Sequence, residues 1–182
     1  SKNNKLIRLR RIPVFLPSSL LWGIHRRSLI KHSKQGTELF NRLAKTGDRL
    51  VVIKNGSVLF SSRGPGIKPL LETIHGIPAA QLRCVRVADT VVGKAGALLL
   101  TYADAAFVAS RVMSQIAMDT FREHKIPFYT KTVVPTILGR NADQQCPFEL
   151  AVGDVANPRR ACDVMTELAQ ALSPEEQQPK IQ

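Results

Sequence analysis

The chain has 182 residues, 44% of them hydrophobic, with 26 Lys or Arg against 14 Asp or Glu and a net charge of +12. That length suits one domain with a substantial core plus an extension. No apolar run approaches the roughly 20 residues that span a bilayer, and the best candidate, "IPVFLPSSLLWGI", is broken by Pro13 and Pro17. The three cysteines, Cys84, Cys146 and Cys162, are widely spaced with no CxxC pair; this argues against a zinc ribbon or thioredoxin-like site and for a reducing compartment.

Residues 1–36 read as a basic arm. Up to residue 37 the chain has nine cations, Lys2, Lys5, Arg8, Arg10, Arg11, Arg26, Arg27, Lys31 and Lys34, and no acid before Glu38. Taking nine from 26 leaves 17 basic against 14 acidic residues in the remainder, a net +3, so the positive field belongs to the arm. An Arg-rich, Ser-containing, acid-free segment has the composition of a mitochondrial transit peptide. Within it, "SSLLWGIHRRSLIKH" predicts a short amphipathic helix capped by Ser18 or Ser19. "TELFNRLAKTG" predicts a second helix, capped by Thr37 and stopped by Gly47.

"DRLVVIKNGSVLFSS" holds two β-rich runs around Asn55-Gly56, the strongest short hairpin signal. After the Gly64-Pro65-Gly66 loop comes a helix with Leu70, Leu71 and Ile74 inward, ended by Gly76 and Pro78. "QLRCVRVAD" reads as a strand, residues 90–102 as a helix, "AAFVAS" as a short buried strand and "SRVMSQIAMDTFREHK" as a helix. "IPFYTKTVV" is a further strand, "CPFELAVGD" a short helix with Pro147 in its first turn, and "PRRACDVMTELAQAL" a last helix. A hairpin followed by alternating helices and strands predicts an α/β fold with a mixed sheet and helices on both faces. The expected division is an arm over 1–36, an α/β domain over 37–172 and a tail over 173–182.

The familiar catalytic signatures are missing from this sequence. His25, His32, His75 and His124 are scattered without ligand spacing, so no metal site is expected. There is no G-x-S-x-G for a serine nucleophile, and "GPGIK" lacks the rest of either phosphate-binding motif. What remains is polar residues at element ends, where open α/β sheets bind ligands: Asp89, Lys94, Ser114, Arg140, Cys146 and Glu149. Asp89 also fits an N-cap, and Glu149 a carboxylate on a helix dipole. Cys146 at a helix start near Lys94 or Arg140 is the candidate nucleophile, with a lowered pKa expected from those cations. Lys94 sits in a run of small, core-like residues, where a buried ammonium needs a partner.

The stretches "GPGIKPLL", "VADTVVGKAGALLL", "SRVMSQIAMDTF" and "GRNADQQCPFE" resemble, in order and spacing, a small family of uncharacterised proteins with a cytidine-deaminase-like fold, over about residues 37–155. The resemblance implies that Asp89, Lys94, Cys146 and Glu149 belong to a characteristic pocket. This chain departs from the family pattern at Thr90 and at Arg140-Asn141. Zinc deaminases carry H-x-E or C-x-E at one helix start and P-C-x-x-C at the next. The corresponding stretches here look like "GKAGA" and "SRVMSQ", which supply neither the ligands nor the general-base Glu. The resemblance thus implies a deaminase fold without deaminase chemistry and without a cofactor.

Two functional classes follow. The first is a non-catalytic subunit of a large mitochondrial assembly in the matrix. A mitochondrial ribosome is the leading host, with rRNA contacted through Arg8, Arg10, Arg11, Arg26, Arg27, Lys31 and Lys34 and with neighbouring proteins as partners. A supernumerary subunit of a respiratory or ATP synthase complex is the alternative host. The second class is a small-molecule-binding protein or enzyme using Lys94, Cys146 and Glu149, with an anionic ligand in the pocket.

Overall fold

The computed structural model describes residues 18–139 and 144–172, with side chains from residue 32 onward. The chain forms two compact units, Ser1–Lys31 and His32–Gln182. The first described element is a single helix, α1 (Ser18–Thr46), where the sequence predicts two. Gly36 and Thr37 mimic a helix boundary but lie inside α1. The Thr37 hydroxyl donates back to the Ser33 carbonyl at 2.9 Å instead of capping a new helix. Gly36 is there for a tertiary reason: a Cβ at that position would collide with the Tyr129 ring.

The hairpin forms as predicted. β1 (Leu50–Lys54) and β2 (Ser57–Ser62) pair antiparallel. Asn55 and Gly56 both take positive φ, 50° and 84°, the requirement of the two-residue turn that matches strand twist. Then come α2 (Lys68–Gly76), the short α3 (Ala79–Leu82), β3 (Arg86–Val92), α4 (Lys94–Tyr102), β4 (Phe107–Ser114), α5 (Gln115–Glu123), β5 (Phe128–Val134), α6 (Pro147–Ala151) and α7 (Pro158–Ala171). The sheet order is β2-β1-β3-β4-β5, with β1 antiparallel to its neighbours β2 and β3, and β3, β4 and β5 mutually parallel.

Two strands run further than their sequences suggest. β3 continues through Asp89 and Thr90 to Val92, so Asp89 is a strand residue paired with Leu50 and Ser110 and caps no helix. β4 continues to Ser114, where the sequence predicts helix from residue 110. Ser114 is the N-cap of α5, its hydroxyl accepting from Ala117 N–H at 3.1 Å. In both places β-branched residues (Val91, Val92, Val112) fit the pleated surface better than the helix suggested by their polar neighbours.

One face of the sheet carries the larger core, where Leu98, Leu99, Leu100, Met113, Phe121, Phe148 and Met165 are fully buried. On the other face Leu39, Phe40 and Leu43 of α1 pack on Val51, Ile53, Ala88, Phe107 and Ala109. Each fully buried aliphatic or aromatic side chain there contributes about 1.5–3 kcal/mol. His32 extends this seam, its ring 5.8 Å from that of Phe107; the compact unit therefore starts before residue 37. No helix among the described residues is long and apolar enough to cross a membrane.

Candidate functional site

A cavity opens on the larger-core side, at the C-terminal end of β3. Its floor and walls are Leu50, Asp89, Thr90, Val91, Gly93, Ala95, Gly96, Ile137, Cys146, Phe148 and Glu149, and its rim includes Arg49 and the Gly64–Ile67 loop. The internal volume is ≈ 50 Å³, enough for a few waters or a small ligand group. The position follows from topology: strand ends and the helix starts that follow them are where an open α/β sheet exposes unpaired N–H groups.

One of those helix starts is already satisfied from within. Glu149, on α6, accepts from the N–H groups of Lys94 and Ala95, each at 2.9 Å, and so caps α4 across 55 residues of chain. The N-cap residue itself, Gly93, has no side chain to do this. It must have none: a Cβ at Gly93 would sit 2.5 Å from the Glu149 carboxyl carbon and 2.8 Å from Oε2. Burial raises the Glu149 pKa, opposed by those two N–H groups and by the Lys94 charge.

Lys94 does not point into the cavity. Its ammonium donates to the Gly153 carbonyl at 2.6 Å, closing the turn after α6. This is the partner that an ammonium among small residues requires. Lys94 and Glu149 thus tie α4 to α6 through one backbone cap and one side-chain bond.

Asp89 does face the cavity. Its Oδ1 accepts from Val91 N–H at 3.2 Å, and burial pushes its pKa up to about 7 despite that bond and those from Thr90. Cys146, the N-cap of α6, is buried beside it. The lowered pKa expected for Cys146 is not what its surroundings produce. Burial pushes the thiol up, and the nearby Glu149 charge adds to that rise, so its nucleophilicity is suppressed at neutral pH.

The structure therefore brings Asp89, Cys146 and Glu149 to one cavity and leaves Lys94 and Ser114 outside it. Arg140 lies outside the described residues, as do Arg8, Arg10 and Arg11. Arg26, Arg27 and Lys31 fall in α1, and Lys34 is exposed on it. The sequence reading missed Arg49, Ile137 and Phe148 as cavity residues. "GPG" was a visible signal for the Gly64–Ile67 rim, but it reads locally as an ordinary turn. At the starts of α4 and α5 stand Lys94 and Gln115. Among the described residues no three of His, Cys, Asp or Glu converge as a metal-ligand group.

Two chains among solved structures match this one. One is the crystal structure of a DUF1893 family protein (TM1506) from Thermotoga maritima. It superposes with a TM-score of 0.64 at 22% identity, over 90% of this chain and 99% of that one. No curated protein matches the sequence. The profile of the TM1506 family, a domain of unknown function (DUF1893), matches residues 38–168, and the chain belongs to that family.

Proposed function

We propose that the protein is a non-catalytic subunit of a large mitochondrial assembly, foremost the mitochondrial ribosome, with a domain of cytidine-deaminase-like fold held on RNA by its basic N-terminal segment. The observation that carries this reading is the segregation of charge. Nine cations and no acid precede Glu38, while the remainder of the chain is near neutral. Lys and Arg neutralise phosphates and release counterions, giving affinity that is strong, salt-sensitive and indifferent to sequence.

The state of the cavity supports the non-catalytic part. The α4 N-terminus has its N–H groups committed to Glu149, the Lys94 ammonium is spent on Gly153, and the Cys146 thiol is held protonated by burial. Two groups that would hold an anion, the first N–H groups of α4 and the Lys94 ammonium, are thus already used to fasten α4 to α6.

Sedimentation of the native protein from a mitochondrial lysate tests the reading. Co-migration with ribosomal particles at low salt and release at high salt is the expected result. Co-migration with a respiratory or ATP synthase complex instead would move the protein to a different host. A free protein at low salt would end the proposal.

A further inference from the structure

The α1 side of the sheet carries a charge arrangement that the fold does not use. Asp89, Ser110 and Thr130 are partners across β3, β4 and β5, and so are Val91, Val112 and Thr132. Between these rows lie Arg111 on β4 and Lys131 on β5. In each strand a hydroxyl bridges over the intervening residue: Ser110 Oγ donates to the Val112 carbonyl, and Thr130 Oγ1 to the Thr132 carbonyl at 3.0 Å. Ser110 is buried and Val112 packs on the larger core. Arg111, exposed, stands opposite Lys131 between the pairs Ser110–Thr130 and Val112–Thr132, and so shares its side of the sheet. Lys131 is on the α1 side, its ammonium 4.8 Å above the Phe40 ring.

Two like charges facing each other on adjacent strands, whose backbones lie about 5 Å apart, repel each other and destabilise the sheet. Among the described residues no carboxylate relieves them; the ion pairs there are Arg63–Asp48, Arg86–Glu38 and Arg122–Asp119. The Phe40 π-face restrains Lys131 and leaves its charge available. Exposed Lys34 lies on α1 two residues before Gly36, which rests on Tyr129, and Tyr129 is two residues before Lys131 on the same strand face.

We propose that Arg111 and Lys131 form a phosphate-binding pair through which the globular domain itself grips an RNA backbone. This inference rests on the RNA-facing reading above and adds a second contact, on the sheet, to that of the basic segment. The chemistry fits a phosphodiester. A guanidinium offers a planar fork to two phosphate oxygens, and an ammonium beside it offers a point charge to the same or the next phosphate. A lipid surface fits less well, because Val133 is the one large hydrophobic residue exposed on this strand pair, too little apolar area to insert.

The test uses the full chain and a fluorescent single-stranded RNA of about 20 nucleotides, titrated across a salt series. R111A/K131A removes the pair; R159A/R160A removes two exposed cations of α7 and matches the change in net charge. R111A/K131A is expected to weaken binding about tenfold near 0.1 M salt and to lessen the log–log salt slope by about 1.4, two contacts at ~0.7 each. R159A/R160A should change affinity less than about twofold. Equal losses in the two variants, or no loss in either, would overturn the inference while leaving the RNA-facing reading intact. So would loss of binding to vesicles of phosphatidylserine and phosphatidylcholine with RNA binding unchanged. A wild-type chain that binds no RNA would overturn both.

Discussion

Alanine at position 36 gives a test in which local and tertiary physics predict opposite signs. In a free helix, Gly→Ala stabilises by about 1 kcal/mol, because glycine loses more backbone freedom on folding. In α1 the new methyl would meet Tyr129, 2.6 Å from Cγ and 2.9 Å from Cβ, with Cδ1 closer still. The ring cannot swing away cheaply, since it also packs on Phe40 at 5.9 Å between centroids. Overpacking of this kind costs about 1–3 kcal/mol, and the upper end applies where the clash reaches Cβ of a strand residue. The net expectation for Gly36→Ala is a loss of about 1–2 kcal/mol. With Tyr129→Ala in place the obstruction is gone, and the same substitution should stabilise by about 0.5–1 kcal/mol. Urea unfolding of the four proteins in a double-mutant cycle isolates this coupling, about 1.5–3 kcal/mol, from the cost of losing the tyrosine itself. Stabilisation by Gly36→Ala in both backgrounds would refute the seating of α1 on β5.

Asp89 should make stability depend on pH. Its folded pKa, about 7, lies above the ordinary 3.8, so the folded chain holds the extra proton between those values and stability falls as pH rises through that window. Asp89→Asn cannot ionise and should gain on the wild type by about 2–4 kcal/mol between pH 4 and pH 8, the lower end reflecting partial solvent access; a pH-independent difference in urea midpoints would contradict this. Glu149→Gln keeps one acceptor for the two N–H groups of α4 and turns an amide NH2 toward the other, a cost of about 1–2 kcal/mol by thermal or urea unfolding. Gly93→Ala, which displaces the same carboxylate, should cost about 1–3 kcal/mol, and neutral results for both would remove Glu149 as the cap. Thiol labelling followed by mass spectrometry should modify exposed Cys84 well before buried Cys146 and Cys162, whose thiols are pushed up by burial; fastest labelling at Cys146 would restore it as a nucleophile.

The parts of the fold legible in the sequence are those fixed by local chemistry. Asn55-Gly56 dictates a turn whatever surrounds it, and Pro147 and Pro158 open α6 and α7 at the positions where a missing N–H costs least. The misread parts share a cause. Gly36-Thr37-Glu38 and Asp89-Thr90 both look like helix starts, because cap residues are recognised without knowing what lies across from them. Gly36 is demanded by Tyr129, 93 residues later, and the α4 cap comes from Glu149, 55 residues after Lys94. Lys94 was recognisable as unusual, but its partner, a backbone carbonyl at Gly153, has no sequence signature. Arg111 and Lys131 become neighbours only once β4 and β5 pair in register.

The salt dependence of RNA binding by the full chain tests the central claim most directly. If all nine cations ahead of Glu38 engage single-stranded RNA together with Arg111 and Lys131, the log–log slope of affinity against salt should reach about −8, eleven contacts at ~0.7 each. Replacing those nine residues by glutamine should flatten it to about −1 to −2, the share left to the sheet. A slope that is shallow in the wild type, or steep and unchanged after the replacement, would contradict the account.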